Sequence, residues 1–249
     1  MSIWYAICNA LPLEMLQWDF MKNALLAILL MGPLFGLLST MIVTGRMSFF
    51  SDALGHSAFT GIAIGAICGI AAPIWVAVGF SVVFALLFSY VRSRSNQAAD
   101  TLIGDILSVS PAEIGMLALV LLAVVLFWCV YSNRLALTAI HPQLASSRGI
   151  PVGVSQTIFT VAIAVVVTLS ISSVGLLILN SLLVLPAASS RNVAKNLKQY
   201  HLFSVLFALF SGLSGLTISY YLGTSAGAAI SLVLALIFAI SFAFRKVRG

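Results

Sequence analysis

An all-α bundle of about eight helices crossing a lipid bilayer is the fold this sequence predicts, and three observations predict it. Of its 249 residues, 61% are apolar and 7% charged, whereas a soluble domain has about 45–50% and ~25%. The uncharged runs reach the roughly 20 residues a helical crossing needs, and they lack the strict alternation of barrel strands. Basic residues gather between the runs, as they do in the cytoplasmic loops of membrane proteins. The net charge of +6 therefore calls for no nucleic-acid partner. The chain reads as one multi-pass transmembrane domain over residues 1–249.

Residues 1–23 mix Trp4, Tyr5, Trp18, Glu14 and Asp19 with apolar side chains, the composition of a segment lying at the interface. The first basic residue is Lys22, so the start lacks the positive n-region of a signal peptide. Residues 24–44 are uncharged and form the first crossing. Gly32 and Gly36 within it are spaced for close helix contact, and Pro33 between them is a source of bending. Two crossings follow, about 50–70 and 74–91, turned at Pro73 and closed by Arg92 and Arg94. Residues 114–133 make one more, ended by Arg134. Residues 149–190 hold two, with Ser170–Ser173 as the turn, and residues 202–244 hold the last two, broken at Gly223. Cys8, Cys68 and Cys129 are scattered and read as small core residues.

Ionisable groups inside this apolar frame are few, which makes Asp52 and His56 conspicuous. Four residues apart, they share one face of a helix. Charged groups at a membrane helix are retained when they face protein or water, and carboxylate with imidazole suits a divalent transition metal. A helix-capping Asp beside an interfacial His is the alternative. Gly61, Gly65 and Gly69 form a small-residue stripe, read as a pathway surface or as helix packing. Asn180 either bonds a neighbouring helix or lines a path.

The longest polar connection of the second half spans residues 138–153. Pro142 is placed to start a short helix and Gly149 to end it. Such a helix, displayed on the cytoplasmic face, offers a grip to a docking partner; an ordinary loop is the alternative. No phosphate-cradling Walker sequence and no convincing nucleophile set are present, so the chain does not read as an enzyme. His141 and His201 adjoin basic segments and read as solvated loop residues.

Two stretches carry a resemblance to a known family. Arg46-Met-Ser-Phe-Phe-Ser-Asp52-Ala-Leu-Gly-His56-Ser and Val174-Gly-Leu-Leu-Ile-Leu-Asn-Ser-Leu-Leu-Val-Leu-Pro186-Ala-Ala-Ser-Ser-Arg191 resemble motifs of the permeases of ATP-binding-cassette importers for zinc, manganese or iron (ABC-3 type). Between them, Pro142, Gln143, Leu144, Ala145, Arg148 and Gly149 look like the family's ATPase-coupling segment. The resemblance implies a type II importer fold in a bacterial plasma (inner) membrane. Its implied partners are a cytoplasmic ABC ATPase that uses the ATP, an extracytoplasmic metal-binding protein, and a second permease in a homodimer or paralogous heterodimer. It implies no permanently bound cofactor. Asp52 and His56 would touch the passing zinc, manganese or ferrous ion, and a two-fold axis would double them to four ligands. A secondary metal carrier and a shortened relative that binds the ATPase without transporting are the other readings.

The sequence departs from the family pattern in four places. Ala99-Asp100 stands where the family has an acidic pair, Ser172 where it has Lys, and His141 where it has Asp. Two motifs that the family separates by a membrane helix are fused as Asp100-Thr-Leu-Ile-Gly104-Asp-Ile-Leu-Ser-Val-Ser110, so about one helix is missing near residues 100–110. Arg92/Arg94 and Arg134 both look cytoplasmic, yet one clear crossing separates them. Residues 98–110 dipping into the membrane, a basic cluster outside, and a shortened variant with altered packing each resolve that conflict.

Overall fold

Hydrocarbon offers the backbone no hydrogen bonds, so a spanning chain must satisfy its amides internally, and a helix does this locally. The computed structural model describes residues 2–10, 14–45, 47–70, 72–92 and 111–248, with backbone alone at 2–3, 10, 48–51, 88–92, 113, 172–174, 176–177 and 245–248. Among these residues the regular structure is helical throughout. Helix α1 (Ser2–Ala10) and one 3-10 turn (Glu14–Gln17) lead into α2 (Asp19–Thr44), followed by α3 (Ser48–Ile67), α4 (Pro73–Arg92) and α5 (Pro111–Ile140). The short α6 (Pro142–Ser147) precedes α7 (Val152–Val174), α8 (Leu176–Val193), α9 (Leu197–Leu222) and α10 (Ala226–Arg248). Helices α2, α5, α7, α9 and α10 contain stretches long and apolar enough to cross a membrane. With α3, α4 and α8 they account for the eight apolar helices the sequence predicts. The fused motif lies outside the described residues, as does Arg46.

Contacts divide the chain into two units. One comprises Met1–Thr40, Ile103–Ala123 and Ser173–Gly249. Its central approach is α2 against α9. A Cβ at Gly36 would stand 2.7 Å from the Val205 Cα, so the two backbones meet because Gly36 has none. At the same level Ser204 Oγ donates to the Gly36 carbonyl at 2.6 Å, and Tyr200 OH donates to the Thr40 carbonyl at 3.2 Å. Helix α8 joins through Ser190 Oγ, which donates to the Tyr200 carbonyl at 2.7 Å. Pro186 lacks an amide donor and disturbs its own helix; the next amide, Ala187 N, donates to Ser39 Oγ of α2 at 3.2 Å. Gly215 repeats the close approach between α9 and α10, where a Cβ would lie 2.6 Å from the Ile230 Cα.

The N-terminal stretch belongs to the same unit. Trp4 Nε1 donates to the Lys22 carbonyl at 2.9 Å, and Tyr5 OH to Asn23 Oδ1 at 2.9 Å. Lys22 is buried, pairs with Asp19 at 2.9 Å and sits 5.2 Å from the Tyr5 ring centre. These bonds hold α1 to the first turn of α2. Cys8 is buried beside them, and desolvation pushes its thiol up, against the opposing pull of the Lys22 charge.

The second unit comprises Met41–Leu102 and Val124–Ser172. Here α3 and α4 form an antiparallel pair with a regular register: Ser57 Oγ lies 3.3 Å from Ser81 Oγ, Gly61 meets Ala77, and Gly65 meets Pro73. Each step of four residues along α3 meets a step of four back along α4. The turn between them is a Schellman cap. Gly69 adopts φ +68°, its amide bonds to the Ala66 carbonyl, and the Ile70 amide bonds to the Gly65 carbonyl at 3.0 Å.

Four expectations are corrected. Helix α5 does not end at Arg134 but continues to Ile140, because a surface charge does not break a helix and no Gly or Pro intervenes before Pro142. Helix α9 begins at Leu197, not 202, where Asn196 Oδ1 accepts from the Gln199 amide at 2.8 Å and Gln199 Oε1 accepts from the Lys195 amide at 3.0 Å. The turn expected at Ser170–Ser173 falls instead at Gly175, whose φ of 83° and ψ of 159° suit glycine alone. Cys68, just past the end of α3, and Cys129, on α5, are exposed rather than in a core.

Two glycines separate packing from propensity. Gly36→Ala, forced against the α9 backbone, is expected to lower stability by about 1–3 kcal/mol. Gly79→Ala in α4, with nothing within 4 Å of its Cβ, is expected to raise it by about 0.5–1 kcal/mol. Unfolding of the two variants in detergent checks the pair; shifts of equal sign would contradict the assigned contact.

Candidate functional site

The α3–α4 contact decides which way the polar face of α3 can point. At about 100° per residue, Ser57, Gly61 and Gly65 lie roughly 100–180° around the helix from His56. Asp52 lies about 40° from His56, on the other side. The packed stripe and the ionisable pair thus occupy different faces of one helix. Asp52 and His56 are both half-buried. His56 Nε2 is fully shielded and has no hydrogen-bond partner. A buried, unpartnered ring nitrogen costs roughly 1–3 kcal/mol, and in the neutral tautomer with its proton on Nδ1 an imidazole presents an Nε2 lone pair to a metal ion.

The remaining predicted residues fall into separate places. Gly61 and Gly65 sit against α4 backbone, with Cβ positions 2.5 Å from the Ala77 Cα and 3.0 Å from the Pro73 Cα; their geometry is that of helix packing. Asn180 is half-buried on α8 in the first unit, one residue before Ser181, whose Oγ lies 2.7 Å from Ser231 Oγ of α10. Among the described residues no group of three or more His, Cys, Asp or Glu side chains converges. One chain contributes Asp52 and His56 as its paired candidates.

The segment around Pro142 folds as a separate device. Pro142 opens α6, whose six residues end at Arg148 and Gly149. Gly149 has φ +71°, its amide bonds to the Ser146 carbonyl at 3.0 Å, and the Ile150 amide bonds to the Ala145 carbonyl at 3.0 Å. Ala145 is buried and anchors the helix, while Pro142, Gln143, Leu144 and Arg148 are exposed. His141, Leu144 and Ser147 line an open hollow of about 710 Å³ at this helix. His141 is exposed, as its sequence context predicts.

His201 departs from its reading as a solvated loop residue. It lies in the first turns of α9, half-buried, with Nδ1 2.9 Å from Thr40 Oγ1 of α2. The cap at Asn196 starts the helix before it and turns its ring inward. The capping sequence Asn196-Leu-Lys-Gln199 was the available signal.

Among the described residues the chain is helical, with several helices long and apolar enough to cross a membrane, the arrangement of a multi-pass membrane protein. The chain belongs to the ABC 3 transport family, whose model matches residues 17–108 and 98–245. It is 28% identical over 255 residues to the manganese import system permease protein ScaB of Streptococcus parasanguinis, covering 91% of each chain. It is 26% identical to the high-affinity zinc uptake system membrane protein ZnuB of Haemophilus influenzae, covering 92% of this chain and 99% of that one. The solved structure of PsaBC from Streptococcus pneumoniae in complex with Fab superposes with a TM-score of 0.79 at 25% identity, over 97% of this chain and 95% of that one.

The two matched stretches overlap at residues 98–108, where the fused motif stands.

Leaving the His56 ring nitrogen unpartnered has a consequence for stability. His56→Leu is expected to leave the metal-free protein at least as stable as the parent, since it removes an unsatisfied buried group. A loss above about 2 kcal/mol in detergent unfolding would instead make His56 a structural residue.

Proposed function

We propose that the chain is the permease subunit of an ATP-driven importer of a divalent transition-metal ion, manganese or zinc, with ferrous iron in the same ligand class. The observation that carries this reading is the shielded, unpartnered His56 Nε2 one helical turn from Asp52. A mixed nitrogen and oxygen ligand set suits these ions and disfavours copper(I), which prefers thiolate and thioether. It also binds more loosely than a thiolate cage, which suits an ion that must leave again. Two ligands are too few to strip a metal ion of its water. A second permease across a two-fold axis supplies two more, so the path lies between two such α3 faces.

The names of the ScaB and ZnuB relatives support manganese or zinc as cargo. In this reading Asp52 exchanges a water ligand for a carboxylate oxygen and His56 offers Nε2, while the protein carries out no chemistry. Binding and hydrolysis of ATP on a cytoplasmic ATPase shift the permease between outward-open and inward-open states. Helix α6, exposed on most of its surface and closed at its C-terminus by Gly149, transmits that shift through Leu144 and its neighbours. An extracytoplasmic metal-binding protein delivers the ion on the other side.

Uptake of labelled manganese and zinc into metal-starved cells tests this reading, with the chain expressed beside its ATPase and binding protein. Asp52→Ala and His56→Ala are each expected to cut uptake by more than the roughly tenfold that loss of an outer-shell partner brings, at unchanged membrane levels. Leu144→Arg is expected to abolish uptake by releasing the ATPase, seen as loss of co-purification. Uptake untouched by either site variant would remove the ion path from this helix. An assembled complex without any flux would instead favour a non-transporting role.

A further inference from the structure

We propose that the groove between α9 and α10 holds one acyl chain of an anionic glycerophospholipid, with its headgroup on the basic connection between α8 and α9. The groove is open at the surface and has a volume of about 540 Å³, with Leu206, Phe207 and Phe210 of α9 facing Ile237, Ile240 and Phe244 of α10 across it. Val193 and Ser241 also line it. The hydroxyl of Ser241 is already engaged: it accepts from Asn192 Nδ2 at 3.1 Å and donates to the Phe238 carbonyl at 2.8 Å. The remaining lining offers hydrocarbon contact alone, and the volume falls within the range of small-molecule sites.

Depth and charge select the occupant. From Lys198 to Phe210, α9 rises about 18 Å at 1.5 Å per residue, slightly more than half of a hydrocarbon core about 30 Å thick. The lining residues themselves cover about 6 Å of α9 (Leu206 to Phe210) and about 10 Å of α10 (Ile237 to Phe244), so the groove holds part of one acyl chain within one leaflet. Its shallow end adjoins cations. Arg191 closes α8, Lys195 and Lys198 flank the start of α9, and all three are exposed. Arg245 follows Phe244 directly along α10, with Lys246 and Arg248 after it. No acidic residue occurs in the sequence after Glu113. A zwitterionic headgroup leaves these cations uncompensated, whereas an anionic one compensates them while its chain fills the groove. The ATPase contact proposed above uses α6, a different element. The leaflet is cytoplasmic by the density of basic residues, and the site itself does not depend on transport.

The test uses the purified, delipidated full chain in detergent, titrated with dioleoyl phosphatidylglycerol or dioleoyl phosphatidylcholine and read by native mass spectrometry. One phosphatidylglycerol is expected to remain bound at least tenfold more tightly than phosphatidylcholine. The exposed-charge variant Arg191→Gln/Lys195→Gln/Lys198→Gln is expected to bring the two lipids to parity. Phe210→Trp is expected to gain fluorescence that phosphatidylglycerol with brominated acyl chains quenches, placing the chain in the groove. Equal retention of both lipids by the unmodified protein overturns the proposal in favour of an ordinary annular layer. Occupancy by glycerol 3-phosphate as tight as by the lipid overturns the acyl-chain part. Undiminished phosphatidylglycerol binding by the triple variant, with loss of ATPase co-purification, assigns the cations to the ATPase. Cross-linking of Phe210→Cys between two copies in place of lipid binding makes the groove a permease interface.

Discussion

Close approach of helix backbones at glycine is the interaction on which this structure depends. In lipid, apolar side chains gain little by leaving the solvent, so helices associate through packing and interhelical hydrogen bonds. The chain uses both at the same places. Gly36 lets α9 approach α2, and Ser204 bonds across at that level. Gly61 and Gly65 let α4 approach α3, with Ser57 and Ser81 meeting one step further along. Gly215 does the same for α9 and α10. Small residues remove the steric barrier, and the hydroxyls then bond atoms that lipid would leave unsatisfied.

That packing also determines what the site can be. Because α3 commits the Ser57–Gly61–Gly65 stripe to α4, the face bearing Asp52 and His56 is left for something else. The ring nitrogen is shielded yet unbonded, the feature on which the proposed ion-contacting role of His56 rests. Gly61 and Gly65 place α3 by letting α4 approach closely.

Much of this was legible in the sequence, because charge in a 7%-charged chain punctuates the helices. Pro73, Pro142, Gly149 and Gly223 marked real ends through backbone geometry. Charge misled where it was used as a stop: Arg134 sits within α5, since a basic side chain can reach outward without ending a helix. The Ser170–Ser173 turn failed because serine tolerates a helix, whereas Gly175 has the dihedrals that break one. The spacing of Asp52 and His56 was readable; the isolation of Nε2 was not, since it depends on neighbours distant in sequence. His201 was misplaced for the same reason, its partner Thr40 lying on α2.

The doubly matched stretch at residues 98–108 imposes a constraint of its own. Loss of one crossing reverses the side on which everything after it emerges, unless that stretch itself restores the count. Within each unit, helices meet at glycine: Gly36 and Gly215 in one, Gly61 and Gly65 in the other. The proposed role of His56 requires its ring, shielded at Nε2 in the single chain, to open to the ion path in the assembled transporter. Replacing His56 by Cys in a chain with Cys8, Cys68 and Cys129 changed to Ser or Ala tests this directly, in the assembled complex with its ATPase. The account predicts that a water-soluble thiosulfonate modifies this thiol, more slowly when manganese is present. A thiol inert in every nucleotide state, or modified at one rate with and without manganese, would contradict it.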